Sequence, residues 1–230
     1  MNYLKSMLVK LKYQPMIFIP LVCLGLYTVY FSYHKFMTAS NLYLTYLLYI
    51  NTLAPTLMAL IISAIFKFEE QNKNYNRLLS ISNRSSWTNN MVVFCMFLWL
   101  LFTIFTIGCL SMIVEINFKI KLITLITLFV LNLIFIPIFI YIALKLGSGI
   151  CIGIGALFFI IKICYGTTML GNGIWNLIPF VYPEKSVYIL YNSNYIEFSK
   201  LIGISLVILI FLLVALHVWY CQWNGREITD

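Results

Sequence analysis

Few side chains in this 230-residue sequence could do chemistry, and none forms a recognisable catalytic pair. The two histidines, His34 and His217, have no carboxylate partner nearby in the sequence. The chain contains no G-x-x-x-x-G-K-[ST] phosphate loop, no H-E-x-x-H zinc pair and no G-x-S-x-G nucleophile turn. We therefore predict no catalytic residue, no metal ligand and no cofactor in this chain.

The cysteines and carboxylates are distributed without any pattern that indicates a site. Six cysteines, at positions 23, 95, 109, 151, 164 and 221, show neither paired spacing nor neighbouring histidines, so they predict no zinc site or disulfide framework. All seven Asp and Glu residues fall outside the long apolar segments. Proton transfer inside a membrane would need carboxylates there, so neither catalysis nor proton coupling is expected.

One charged residue, Lys162, does lie inside an apolar segment. An ammonium group at the centre of a bilayer costs about 2.5–3.5 kcal/mol on insertion scales. We expect its side chain to face protein or water, or to extend along its stem to the interface. Asn51 and Asn132, also in apolar segments, are explained by hydrogen bonds between helices. Lys162 is thus the candidate for a substrate path through the membrane.

The elements that position these residues are long and apolar. Apolar residues make up 62% of the chain and charged residues only 10%. A bilayer core about 30 Å thick requires about 20 apolar residues in one helix, and six segments qualify. They are 15–33, 42–66, 91–114, 122–144, 150–170 and 201–221. These segments predict an all-α, polytopic membrane protein that forms a single membrane domain over residues 1–230.

The basic residues predict the orientation, because cytoplasmic loops are enriched in Lys and Arg. With the N-terminus inside, the cytoplasmic side carries nine of them and the outer side four, which places both termini in the cytoplasm. The cytoplasmic set is Lys5, Lys10, Lys12, Lys67, Lys73, Arg77, Arg84, Lys145 and Arg226; the outer set is Lys35, Lys119, Lys121 and Lys185. The net charge of +8 is explained by anionic lipid rather than by nucleic acid.

Two cytoplasmic segments show helical spacing. In residues 1–14, Leu4, Met7, Leu8 and Leu11 form an apolar stripe, which indicates an amphipathic helix lying in the membrane interface. In the loop 67–90, an apolar set at helical spacing is surrounded by charges, which suits a soluble partner with a groove. The apolar set is Phe68, Tyr75, Leu78 and Leu79, and the charges are Glu69, Glu70, Lys73 and Arg77. A solvated loop without a partner is the alternative.

The segment 171–198 is too polar to cross a membrane and is rich in aromatic residues, including Trp175, Phe180 and Tyr182. Amphipathic rings prefer the head-group zone. We therefore predict a re-entrant or interfacial hairpin on the outer side before the last span. Its rings serve either as a mouth for an amphipathic substrate, forming a path with Lys162, or as simple interfacial anchors.

This arrangement resembles the permeases of type-2 ATP-binding cassette (ABC) exporters. Within that class, FEEQNKNYNRLLSISNRSSW (residues 68–87) and WNLIPFVYP (residues 175–183) resemble the bacterial lantibiotic-immunity permeases. The resemblance implies that Glu69, Glu70, Asn76, Leu78 and Ser80 fall in a coupling helix that docks on a separate ATPase subunit. Because the apolar set and Arg77 share that loop, the ATPase-coupling set comprises Phe68, Glu69, Glu70, Tyr75, Asn76, Arg77, Leu78, Leu79 and Ser80.

The resemblance also implies the partners and the cargo. ATP and magnesium would be bound by the partner ATPase, and a second permease, identical or related, would complete the pore. The cargo would be a cationic antimicrobial peptide, expelled from a bacterial plasma membrane to protect the producing cell. Two alternatives stay open: an ABC permease for a drug or lipid, and a membrane protein that sequesters the peptide or acts as a scaffold without transporting anything.

Overall fold

The computed structural model describes residues 18–33, 39–71, 84–115, 117–192 and 194–224, with only the backbone described at 31–33, 39–41, 68, 69 and 71. The structure is all-helical, as predicted, and the described residues contain no strand. Eight α-helices occur in these ranges: α1 (Ile19–Tyr33), α2 (Ala39–Gln71), α3 (Arg84–Ile113), α4 (Phe118–Phe129), α5 (Phe135–Lys145), α6 (Ser148–Ile161), α7 (Tyr182–Tyr191) and α8 (Tyr195–Gln222).

Four segments of the described chain are long and apolar enough to cross a membrane, compared with the six predicted. They are Leu42–Lys67, Arg84–Ile113, Ser148–Thr167 and Tyr195–Gln222. Two further apolar helices, Ile19–Tyr30 and Phe135–Lys145, are shorter than a bilayer-spanning helix. These helices are compatible with a multi-pass membrane protein.

Helix α2 lies at the centre of the bundle. In its most apolar window 72% of residues are buried, compared with 22% in the corresponding windows of Ser148–Thr167 and α8. Its buried side chains include Tyr46, Ile50, Met58 and Phe66, which belong to the main hydrophobic cluster. The outward faces of α3 and α8 carry exposed Leu, Ile, Val and Phe side chains, which would be unfavourable in water and are suited to lipid.

The predicted span 122–144 is interrupted between α4 and α5. Proline at position 137 cannot donate a backbone hydrogen bond, and its ring clashes with the carbonyl four residues earlier, that of Leu133. The chain responds with a turn in which Phe135 N donates to Asn132 O (3.1 Å) and Ile136 N donates to Leu133 O (3.1 Å). The interruption places Asn132 in the middle of the turn 130–134, where it is fully buried.

Helix α6 continues into a π-helical segment, Lys162–Thr167, that begins at the buried lysine. Upstream, α6 crosses α2 at very short range: a Cβ on Gly155 would lie 2.5 Å from Ala59 Cβ. At the same crossing Thr56 Oγ1 donates to Gly155 O (3.2 Å). Only glycine at position 155 allows the two backbones to approach this closely.

The segment 171–198, called the outer segment after its predicted location, begins with short helices. Three 3₁₀ turns, Met169–Gly171, Trp175–Leu177 and Pro179–Val181, lead into α7, which has Pro183 in its first turn. Helix α8 follows, and Asn194 caps it by accepting from Glu197 N (3.3 Å). The buried face of α7 packs toward α2, the π-helical segment and α8.

The segments predicted to be cytoplasmic are described only in part. The predicted loop 67–90 is shorter than expected, because α2 extends to Gln71 and α3 begins at Arg84. Residues 72–83 and the predicted interfacial helix 1–14 lie outside the described residues.

Candidate functional site at a buried lysine

Lys162 is completely buried, and three oxygen atoms surround its ammonium group. Its Nζ donates to the backbone carbonyl of Asn51 (2.7 Å) and to Asn132 Oδ1 (3.0 Å), and it lies 3.0 Å from Glu184 Oε1. Two of its three N–H donors thus make hydrogen bonds to asparagine oxygens, and the Glu184 carboxylate supplies the opposite charge at ion-pair distance. Of the three surroundings predicted for Lys162, namely protein, water and the membrane interface, the structure shows protein.

The two asparagines are joined to each other as well as to the lysine. Asn132 Nδ2 donates to Asn51 Oδ1 (2.9 Å) and to the carbonyl of Leu128 (3.0 Å). This is the hydrogen bond between helices that the sequence predicted. It fixes the Asn132 amide so that Oδ1 faces Lys162, and it connects α2 to the turn between α4 and α5.

The counter-ion, Glu184, comes from the outer segment. It is fully buried in the first turn of α7 and is brought to Lys162 by the packing of that helix. Its approach depends on Gly166, where a Cβ would lie 3.0 Å from Glu184 Cγ and 3.2 Å from its Cβ. Neither carboxylate oxygen accepts a hydrogen bond of ordinary geometry from another described residue, so Glu184 contacts Lys162 as an ion pair.

Aromatic rings close the site on the remaining side. The Phe135 ring centroid lies 5.1 Å from Lys162 Nζ, a cation–π distance. Phe135 also contacts Phe158 (5.3 Å between centroids) and Phe180 (5.6 Å), and the last two lie 4.8 Å apart. Phe180 is therefore the predicted path residue that the structure brings nearest to the lysine, separated from it by a single ring.

Trp175 and Tyr182, the other predicted path residues, belong to a second hydrophobic cluster. Their rings meet edge to face with centroids 6.3 Å apart, and Tyr182 Oη donates to Asn176 O (2.7 Å). Tyr182 is buried and Trp175 is half-buried. The structure thus joins these two residues to each other, while Phe180 joins the aromatic shell of Lys162.

The predicted ATPase-coupling residues are only partly described. Phe68 and Glu69 lie in the last turns of α2 with side chains outside the described set. The other members from Tyr75 to Ser80 lie outside the described residues. Glu70 is described, and it accepts hydrogen bonds from Ser148 N (3.2 Å) and Ser148 Oγ (2.5 Å) at the start of α6.

The arrangement suits a structural connection between parts of the chain. An ion pair in a low-dielectric interior is costly to form, and the remaining partner is left uncompensated if one member is removed. The ion pair and the two hydrogen bonds of Lys162 together connect four parts of the chain: α2, the α4–α5 turn, the π-helical segment and α7. The described residues contain no group of three or more His, Cys, Asp or Glu side chains that could hold a metal ion.

The sequence analysis did not identify Glu184 as a site residue. It therefore predicted no carboxylate inside the bundle. Glu184 does lie outside the apolar segments, as predicted, but α7 packs its side chain into the core against Lys162. The available signal was the Pro183–Glu184 pair, which is typical of a helix N-terminus. Nothing in the spacing between Lys162 and Glu184 indicates that the two side chains meet.

The fold and this site define the class of the protein: an all-helical chain, compatible with a multi-pass membrane protein, that connects its outer segment to the bundle core by a buried ion pair. No protein-family model, no curated protein and no solved structure matches the chain.

Proposed function

We propose that this chain is the permease subunit of an ABC exporter that expels an amphipathic antimicrobial peptide and is driven by a separate ATPase subunit. It acts in a bacterial plasma membrane with both termini in the cytoplasm and pairs with a second permease, identical or related. The proposal rests on the resemblance of residues 68–87 and 175–183 to lantibiotic-immunity permeases, and on the site at Lys162.

The observation that carries the proposal is the convergence of an interrupted helix, a π-helical segment and a buried charge at one site. Charged residues inside a bundle at membrane depth are costly, and they mark substrate or ion pathways. Broken helices at that depth occur where a transporter binds or moves its substrate, and π-helical turns are frequent at functional sites.

The test of the ATPase partnership is co-purification in mild detergent from the native membrane. We expect an ATP-hydrolysing subunit to accompany the parent chain, and Leu78→Asp or Leu79→Asp to release it while the permease stays in the membrane. A charged side chain would disrupt an apolar helix-in-groove contact. An ATPase that never appears, under conditions that preserve other membrane complexes, would favour the sequestering or scaffold alternative.

The cargo is tested in the producing cell. A strain that lacks this chain should become more sensitive to its own antimicrobial peptide, and expression of the parent chain should restore resistance. Unchanged sensitivity of the deletion strain, together with an ATPase that co-purifies with the permease from the parent strain, would leave the exporter in place and reject the peptide as its cargo.

A further inference from the structure

The helix α6 begins without a capping side chain of its own. The residue at its N-cap, Gly147, has φ +110°, a backbone conformation that side-chain-bearing residues rarely adopt. The usual Ser, Thr, Asp or Asn cap is therefore unfavourable there. The carboxylate of Glu70, at the end of α2 and 78 residues earlier, accepts from Ser148 N and Ser148 Oγ instead. A negative charge at this position also complements the positive end of the helix dipole.

The C-terminus of α8 is capped from another helix in the complementary way. Arg84, the first residue of α3, donates from Nη1 to the carbonyl of Trp223 (2.6 Å), with a longer contact to that of Cys221 (3.4 Å). A cation at a helix C-terminus is the favourable counterpart of an anion at an N-terminus. The contact is reinforced by the Trp87 ring, which stacks on Tyr220 with centroids 4.9 Å apart.

Glu70 and Arg84 lie on either side of residues 72–83, the part of the predicted coupling loop 67–90 that contains Tyr75 to Ser80 of the ATPase-coupling set. From these contacts we infer that Glu70 and Arg84 are positioning residues that attach the two ends of the coupling loop to α6 and α8. Displacement of the loop is thereby delivered to those helices. This inference rests on the proposed function, and it changes the predicted role of Glu70 from a docking contact to an internal attachment.

The attachment at Glu70 continues along α6 to the buried lysine. Ser148, Gly155 and Lys162 follow one another at intervals of seven residues, about two helical turns, and therefore share one face. Each of them contacts α2: Ser148 through Glu70, Gly155 through Thr56 and Lys162 through Asn51. Helices α2 and α6 are thus joined at three levels. The third level holds Glu184 and with it α7.

The first experiment uses the purified chain alone in nanodiscs of phosphatidylethanolamine and phosphatidylglycerol. Ser186 in α7 is fully buried, so the rate at which a maleimide labels Ser186→Cys reports how often α7 leaves the bundle. The chain without that substitution, labelled in parallel, corrects for the six native cysteines. Glu70→Gln should raise the rate about fivefold or more, the lower range of measured couplings between distant sites.

The matched control is Glu115→Gln, which removes the same charge from an exposed side chain just beyond the end of α3. It should leave the labelling rate within about twofold of the parent, as substitutions away from a specific contact do. Arg84→Gln should behave as Glu70→Gln does. If Glu70→Gln leaves the labelling of Ser186→Cys unchanged, the two ends of α6 are not coupled, and the inference is overturned whether or not an ATPase binds.

A rescue variant separates attachment from simple capping. Ser148→Asp, combined with Glu70→Gln, returns a carboxylate to the first turn of α6 without connecting that helix to α2. We expect it to recover the thermal stability of the chain while the labelling rate of Ser186→Cys stays raised. A labelling rate that returns to the parental value would mean that Glu70 acts only as a cap, which contradicts the inference.

The co-purified complex then relates the attachment to ATP. With ATP and vanadate, labelling of Ser186→Cys should rise in the parent complex but not further in Glu70→Gln, even though the ATPase stays bound. Release of the ATPase by Glu70→Gln would make Glu70 a docking residue and reject its positioning role. A parent chain that recruits no ATPase rejects the proposed function, and the measurement on the chain alone then decides the attachment by itself.

Discussion

The Lys162 site and the two caps beside the coupling loop use the same kinds of chemistry in different surroundings. At Lys162 both charged partners are completely buried, and the ammonium has two hydrogen-bond acceptors and an ion-pair partner. At Glu70 and Arg84 one charged side chain meets the end of a helix, and both side chains are partly exposed. Desolvation makes the first site costly to break, whereas water and salt weaken the second. The difference suits a firm connection at the outer segment and a yielding one beside the loop.

The largest expected effect is at the buried pair. Lys162→Met leaves Glu184 buried without a counter-ion, and such losses cost about 3–5 kcal/mol. We expect a large fall in the thermal unfolding temperature in detergent. The double variant Lys162→Met with Glu184→Leu should regain most of it, because an apolar pair needs no compensation. A double variant no more stable than Lys162→Met alone would show that the pair is not the origin of the cost.

Crowding at Gly166 should have the next largest effect. Gly166→Ala places a Cβ 3.0 Å from Glu184 Cγ. Overpacking of this kind costs about 1–3 kcal/mol. Gly153→Ala is the control, since a Cβ there meets nothing within 4 Å. The unfolding temperature should fall for Gly166→Ala only. Equal effects of the two substitutions would mean that loss of glycine, rather than the position of α7, is responsible.

The asparagines test how Lys162 is held. Asn132→Ala removes one acceptor from the ammonium, a loss of about 1–3 kcal/mol for a buried group left unpaired. Asn51→Ala should cost less, because Asn51 contacts Lys162 through its backbone carbonyl, which the substitution keeps. Comparison of the two unfolding temperatures measures this difference. Equal losses would indicate that the Asn51–Asn132 bond matters more than either contact with lysine.

The smallest effect is expected at the cap. Glu70→Gln should destabilise the chain by about 0.5–2 kcal/mol, as the loss of a helix cap does. Because Glu70 is partly exposed, the difference from the parent should shrink as salt concentration rises, whereas the effect of Lys162→Met should not. Unfolding temperatures measured at low and high salt test this contrast. If the destabilisation by Glu70→Gln does not depend on salt, the two sites respond to salt in the same way, which contradicts the proposed contrast.

Much of the fold follows from local pattern. The apolar segments 42–66, 91–114, 150–170 and 201–221 each lie within, or largely within, a helix of the structure, because twenty apolar residues favour the same conformation wherever they occur. The span 122–144 met the same criterion and is nevertheless interrupted. Its apolar pattern is uniform along its length. The proline at position 137 indicates a kink, but not which residues the interrupted backbone brings into contact.

The candidate site could be predicted only in part, and Lys162 and Glu184 show why. A lysine among apolar residues is visible in the sequence because its burial is costly, so Lys162 was identified before its partners. Glu184 lies among polar and aromatic residues, where an acidic residue does not indicate that its side chain is buried. Glu70 was identified but given a different role, because the hydrogen bond to Ser148 joins residues 78 positions apart.

The sequence by itself determined the helical class, most of the helix positions and the one charge that had to be neutralised inside the bundle. These are properties of composition and of periods only a few residues long. The tertiary structure alone decided that Asn51, Asn132 and Glu184 supply the oxygens, and that Glu70 and Arg84 cap other helices. Such contacts depend on how helices cross, which is set by close packing at positions such as Gly155 and Gly166 rather than by any local preference of the chain.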